Sequence, residues 1–292
     1  MVFRAMKSVS DNPQQRISIL TALLLWEGRL NNSRLRQLFH ISSVRASEWI
    51  REFREKYPDL LELDSKTKSY LATSKAYQVQ RRGQTPAINP VSTLSLYLTL
   101  VGLPHSTQIP QSPAICAAFP DISPPNPRIF ALFSDAIRTH RMVVITYRSM
   151  RDPQPHKRTL SPHSIVRAGR RWHIRAYCEE SQGFRDYSLG RIVAAESLAQ
   201  VAEHSDSDDI AWSTMVKVRL IAHPLLTIEQ QDLIRCEYFN NTASRVDTCR
   251  GALVAYFIQD IRAALSPDEQ RPPDYQLAVA NLDEVRPWVF PA

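Results

Sequence analysis

Residues 161–192, SPHSIVRAGRRWHIRAYCEESQGFRDYSLGRI, gather the side chains in this chain best suited to chemistry. Three segments of alternating polarity each carry arginine, and alternation puts Arg175, Arg185 and Arg191 on definable faces of a sheet. Arginine presents a rigid fork of N–H donors matched to phosphate or carboxylate, so such faces grip anions. A hydrolytic reading has less behind it. Ser149, His163 and Asp186 can be written as a triad, but no nucleophile elbow or oxyanion loop accompanies them. The seven glycines form no G-x-G-x-x-G loop. The four cysteines, Cys116, Cys178, Cys236 and Cys249, are widely separated with no C-x-x-C, which reads as isolated thiols and not as a zinc or disulfide framework. No enzyme, cofactor or metal is expected.

The elements that must hold those arginines read as a small antiparallel β-domain. MVVITYRSM (142–150) is a strand with Ile145, Tyr147 and Ser149 on one face. Two more strands meet near Ala168-Gly169; in the second, Trp172, Ile174 and Ala176 share one face while His173, Arg175 and Tyr177 share the other. FRDYSLGRI continues the sheet with Arg185, Tyr187, Leu189 and Arg191 on a common side. A helix from about Pro127 to His140, burying Phe130, Phe133 and Ile137, closes a five-stranded barrel.

Charge separates this region from the amino-terminal one. Residues 1–82 hold 15 Lys and Arg against 8 Asp and Glu, so the chain's whole formal +7 lies there. A compact basic segment on a neutral remainder is the electrostatic footprint of a nucleic-acid-binding domain. Its pattern agrees. Asn12-Pro13 starts a helix carrying Ile17, Leu20, Leu23, Leu24 and Trp26 up to Gly28. Asn31 caps a second helix with Leu35, Leu38 and Phe39 inward, and Ser42 or Ser43 caps a third with Ala46, Ile50, Phe53 and Tyr57 inward. LLELDSKTKSYLAT (60–73) is a β-hairpin turning at Asp64–Lys68.

Three helices and a basic hairpin make a winged helix-turn-helix, whose third helix enters the major groove of duplex DNA. Ser43, Arg45 and Ser47 are the candidates for base edges. Arg34, Arg36, Arg51, Arg54, Lys66 and Lys68 are the candidates for phosphates, which position the protein without reading sequence.

Between these regions, 81–90 is a linker by composition, 88–104 an apolar packing helix, and 104–127 a proline-rich stretch. After about Met215 come a strand (VKVRLIAHP), a helix (TIEQQDLIRCEYF), an amphipathic helix over 250–265 and a strand in DYQLAVANLDEV. No apolar run reaches the roughly 18 residues of a membrane span. The start lacks a secretory pattern, and a cytoplasmic protein is expected.

ITYRS, SPH, RRWHIRAYC and FRDYSLGRI together resemble a WYL domain; the Trp-Tyr-Leu tripeptide of that name stands here as Trp172-His173-Ile174. The full chain is similar to WYL-domain transcriptional regulators of phage-defence operons (BREX/CBASS-type). The resemblance implies an α+β multidomain fold: a winged helix-turn-helix (1–80), a linker with a packing helix (81–126), a central Sm/SH3-like WYL β-barrel (127–205) and a carboxy-terminal α/β WCX-like dimerisation domain (212–292). It implies a basic pocket for an anionic effector such as a nucleotide or oligonucleotide, formed by Tyr147, Ser149, His163, Arg175, Arg185 and Arg191. The function implied is a homodimeric autorepressor on an inverted-repeat operator. The alternative is an accessory protein that presents single-stranded nucleic acid to a partner enzyme.

Overall fold

A computed structural model describes residues 12–77, 90–101, 125–169 and 171–289. The proline-rich stretch expected over 104–127 lies outside the described residues as far as Pro124, Cys116 included, as does the linker over 81–89. The chain divides into two compact units, residues 1–165 with 170–202, and residues 166–169 with 203–292.

The first unit opens with α1 (Pro13–Glu27), capped by the Asn12 side chain, which accepts the Gln14 and Gln15 backbone N–H groups at 2.9 and 3.4 Å. Every residue from Ile19 to Trp26 is buried, so α1 is covered on all sides and not along one stripe. Gly28 ends it at φ +73°, and a Cβ there would sit 3.2 Å from the Ala131 Cβ, so both backbone sign and space call for glycine.

Strand β1 (Arg29–Leu30) leads into α2 (Asn32–Phe39), capped by Asn31, and α3 (Ser43–Lys56), capped by Ser42. The hairpin β2 (Leu61–Asp64) and β3 (Ser69–Ala72) follows, and β1 pairs with β3 to complete a three-stranded wing sheet. Asp64 tightens the wing turn by accepting from the Lys66 N–H and the Thr67 hydroxyl at 3.0 and 2.6 Å.

Helices α4 (Pro90–Leu100) and α5 (Pro127–Arg138) pack on α1. Asn126 caps α5, which buries Phe130, Ala131, Phe133 and Ala136. Ile137, expected inward, is only half-buried. The five strands β4 (Arg141–Tyr147), β5 (His156–Ala168), β6 (Arg171–Cys178), β7 (Gly183–Ser188) and β8 (Ile192–Val201) form one sheet in the order β7-β6-β5-β4-β8. Two sequence expectations fail here. Strand β4 ends at Tyr147, leaving Ser149 in a turn; and β7 ends at Ser188, where a 3₁₀ turn over Leu189–Arg191 breaks the alternation that was to align Arg185 with Arg191.

One apolar cluster runs without interruption from Ile17 through the wing, α4 and α5 to Ile192 in the five-stranded sheet. Phe130 sits at its middle. Its ring stands edge-on to Trp26 of α1 (5.4 Å, 85°), Tyr97 of α4 (6.0 Å, 84°) and Trp172 of β6 (5.5 Å, 80°). Arg29 of the wing sheet pairs with Asp135 of α5, which also holds Arg138 at 2.6 Å.

The second unit contains α6 (Ile210–Ser213), β9 (Met215–Ala222), α7 (Ile228–Phe239), β10 (Arg245–Arg250), α8 (Val254–Asp260), β11 (Ala263–Ala264), β12 (Leu277–Val279) and α9 (Leu282–Val285). Its sheet has the order β10-β9-β12-β11, and α7 starts with a full capping box between Thr227 and Gln230. The long amphipathic helix expected over 250–265 is instead a 3₁₀ turn, the seven-residue α8 and then β11, separated by Arg262 at φ 51°. Ala263 and Ala264 pair with Leu277 and Ala278, and those sheet bonds outweigh the local helical pattern.

Candidate nucleic-acid interface and anion-sensing face

The outward side of α3 starts at its amino end. Ala46, Trp49, Ile50 and Phe53 are buried, which leaves Ser43, Val44, Ser47, Arg51 and Arg54 exposed, with Val44 69% accessible. Arg45, expected beside the two serines, is half-buried: two residues along a helix turn about 200°, so it cannot share their face. Val44 takes the outward place.

Asn32, which the sequence reading passed over, binds this end of α3. Its Nδ2 donates to the Ser43 carbonyl (2.7 Å) and the Ser47 Oγ (2.9 Å), while its Oδ1 accepts from the Ser43 hydroxyl (3.3 Å). A hollow of about 170 Å³ is bounded by Asn31, Asn32, Ser47, Arg51, Arg54 and Lys68, with Ile50 and Tyr70 also on its wall.

The cations around it differ in availability. Arg36, Arg51, Arg54, Lys66 and Lys68 are exposed. Arg54 lies over the Tyr70 ring (4.7 Å) and donates to its hydroxyl (2.9 Å), which ties the helix to the wing. Arg34 is committed inward: Nε and Nη2 donate to the Glu27 carboxylate at 2.9 and 2.6 Å, and Nη1 to Gln37 at 3.1 Å. It acts as a strut from α2 to the end of α1.

On β6, Trp172, Ile174, Ala176 and Cys178 face the core, and His173, Arg175 and Tyr177 face the other way, opposite Ser188, Asp186 and Phe184 of β7. Arg175 donates to Asp186 at 3.3 Å, and the two side chains are only 10 and 12% exposed. Burial lowers the pKa of His173 below the usual imidazole value; Arg171 and Arg191 act in the same direction and Asp186 opposes them. His163 meets Phe184 edge-on (5.7 Å), and Phe184 meets Tyr177 (5.3 Å).

Of the six residues expected to bind an anion, Arg175 pairs with Asp186, Arg191 acts on the neighbouring His173 by its charge, and His163 is reached through Phe184. The other three serve elsewhere. Tyr147 is 7% exposed, packs edge-on to Tyr187 and accepts the Ser188 N–H at 3.3 Å. Ser149 closes its turn by accepting the Asp152 N–H at 2.8 Å. Arg185 lies opposite Ala176, on the other side of β7 from Asp186, and donates to Ser181 at 2.9 Å. Ser149 engages Asp152, His163 engages Ser164, and Asp186 engages Arg175. Among the described residues no group of three or more His, Cys, Asp or Glu is placed to hold a metal.

The chain matches family models along its length: "BrxR transcriptional regulator winged helix-turn-helix domain" over residues 12–85, "WYL domain" over 128–197, and "BrxR transcriptional regulator, C-terminal dimerization domain" over 215–285. It is 34% identical over 282 residues to the DNA-binding transcriptional repressor CapW of Pseudomonas aeruginosa, covering 94% of this chain and 90% of that one. The chain belongs to the CapW family of transcriptional repressors. The CapW of Escherichia coli (strain KTE188) is 33% identical over 279 residues, covering 93% of this chain and 90% of its own. This is a family of DNA-binding transcriptional regulators and not of enzymes. Among solved structures, proteasome accessory factor B/C of Arthrobacter aurescens overlaps with 15% identity and a TM-score of 0.26, over 98% of this chain and 52% of that one. No helix among the described residues is long and apolar enough to cross a membrane.

Candidate site residues not named as such from the sequence are Asn32, Val44, His173 and Asp186. Helical spacing points to Val44 and strand alternation to His173. Asn32 and Asp186 depend on partners 11 to 15 positions away, which nothing local marks.

Proposed function

We propose that this chain is a cytoplasmic, homodimeric repressor of its own phage-defence operon, and that an anionic nucleotide or short nucleic acid bound on the WYL face releases it from DNA. The observation that carries the reading is the shared core. A basic helix and wing, and a sheet bearing a nearly buried Arg175–Asp186 pair, are built on one apolar cluster through Phe130. The five exposed cations supply phosphate contacts, and the end of α3 supplies the base contacts. Two copies joined through residues 215–285 read the two halves of an inverted repeat.

The effector competes with Asp186 for Arg175. It acts on DNA only because the arrangement it prefers, with the pair opened, fits the operator poorly; equal affinity for both arrangements would shift nothing. Footprinting tests the DNA side. The protein should protect an inverted repeat upstream of its own gene at nanomolar concentration with steep salt dependence. Equal affinity for that region and for random duplex would support the accessory-protein alternative instead.

A further inference from the structure

We propose that Asn32 presets the hydrogen-bond polarity of Ser43 at the start of α3, so that Ser43 meets DNA as an acceptor only while Ser47 keeps both roles. The inference rests on the operator-binding reading and says which base edges that site takes.

The Ser43 carbonyl can accept but not donate, so the Asn32 atom 2.7 Å away must be the NH₂, which fixes the orientation of the amide. The same NH₂ lies 2.9 Å from the Ser47 Oγ and gives it a hydrogen. Ser47 keeps its hydroxyl hydrogen and a second lone pair, so it can still donate or accept. At Ser43 the order is reversed. The Asn32 Oδ1 takes the hydroxyl hydrogen at 3.3 Å, and only the lone pairs of that oxygen remain to face outward.

The two serines lie four residues apart on one exposed face, about 6 Å along the helix, or roughly two base steps. Val44 stands beside them 69% exposed, an apolar contact suited to a thymine methyl. In the major groove cytosine and adenine offer an amino donor, while guanine and thymine offer acceptors alone. Ser43 therefore favours cytosine or adenine at one position of each half-site, and Ser47 takes either kind of edge.

Selection of the full-length protein on a random duplex pool tests this. Wild type should favour cytosine or adenine about tenfold at one position per half-site, and Ser43→Ala should lose that bias there and keep the preferences elsewhere. Asn32→Ala, which frees the Ser43 hydroxyl to rotate and donate, should flatten the same bias. Wild-type preferences retained in Asn32→Ala or in Ser43→Ala would overturn the proposal while operator binding stood. Failure of wild type to select any sequence would overturn operator binding and this proposal with it.

Discussion

Replacing Phe130 with alanine tests whether the winged helix and the WYL sheet are one structural unit. Phe130 is 4% exposed and stands edge-on to Trp26, Tyr97 and Trp172. Truncating a buried phenylalanine costs about 3–5 kcal/mol, the spread set by how far the cavity can collapse. Three aromatic contacts, each worth about 0.5–1.5 kcal/mol beyond area, place this site at the upper end, near 4–5 kcal/mol. Against a typical domain stability of about 5–15 kcal/mol that is a large fraction. With a urea slope of about 2–3 kcal/mol/M, the unfolding midpoint falls by roughly 1.5–2.5 M. Hydrogen exchange followed by mass spectrometry locates the loss: the opening free energies of amides in α1 and β6 should drop together. A drop in β6 with α1 unchanged, or a total cost below about 1 kcal/mol, would refute the shared core.

Two further predictions follow from the site. Arg54→Ala or Arg51→Ala should weaken binding to every duplex sequence and reduce the log–log salt slope by about 1 per protomer, whereas Arg34→Ala, which loses a strut and no phosphate contact, should lower thermal stability and leave the slope unchanged. His173 has a folded pKa below its unfolded value of 6.5, so the unfolded chain takes up the proton first. The stability it contributes is complete above about pH 6.5 and is lost as pH falls toward the folded pKa. Thermal melts between pH 8 and 5 should show that loss in wild type and less of it in His173→Gln; identical profiles would remove His173 as its cause.

Local chemistry made much of the fold legible. Asn12, Asn31 and Ser42 cap the helices they were expected to cap, because a cap depends on the next three residues alone. Alternation along β6 put Trp172, Ile174 and Ala176 inside for the same reason. The failures arose where a distant partner decided. Residues 250–265 have a helical pattern, but Ala263 and Ala264 have strand partners at 277 and 278. FRDYSLGRI alternates on paper but bends at Leu189–Arg191. Arg45 was expected outward with Ser43 and Ser47 early in the helix, but lies about 200° round from Ser43 and is half-buried. At the anion-sensing face the arginines were visible in the sequence. Which of them shares a face with Asp186 was not, because that follows from the register of β6 on β7.

The central claim is that a ligand at Arg175 controls the grip of α3 on DNA. The direct measurement places the full-length protein on its operator and titrates ATP, a 5′-phosphorylated single-stranded DNA hexamer and the matching RNA hexamer, following release by fluorescence anisotropy. At least one of these anions should release wild type. Arg175→Ala should bind the operator as tightly and stay bound, and Asp186→Asn, which no longer competes for Arg175, should release at lower anion concentration. Release of Arg175→Ala at the same concentration as wild type, or no release of wild type by any of the three, would contradict the account.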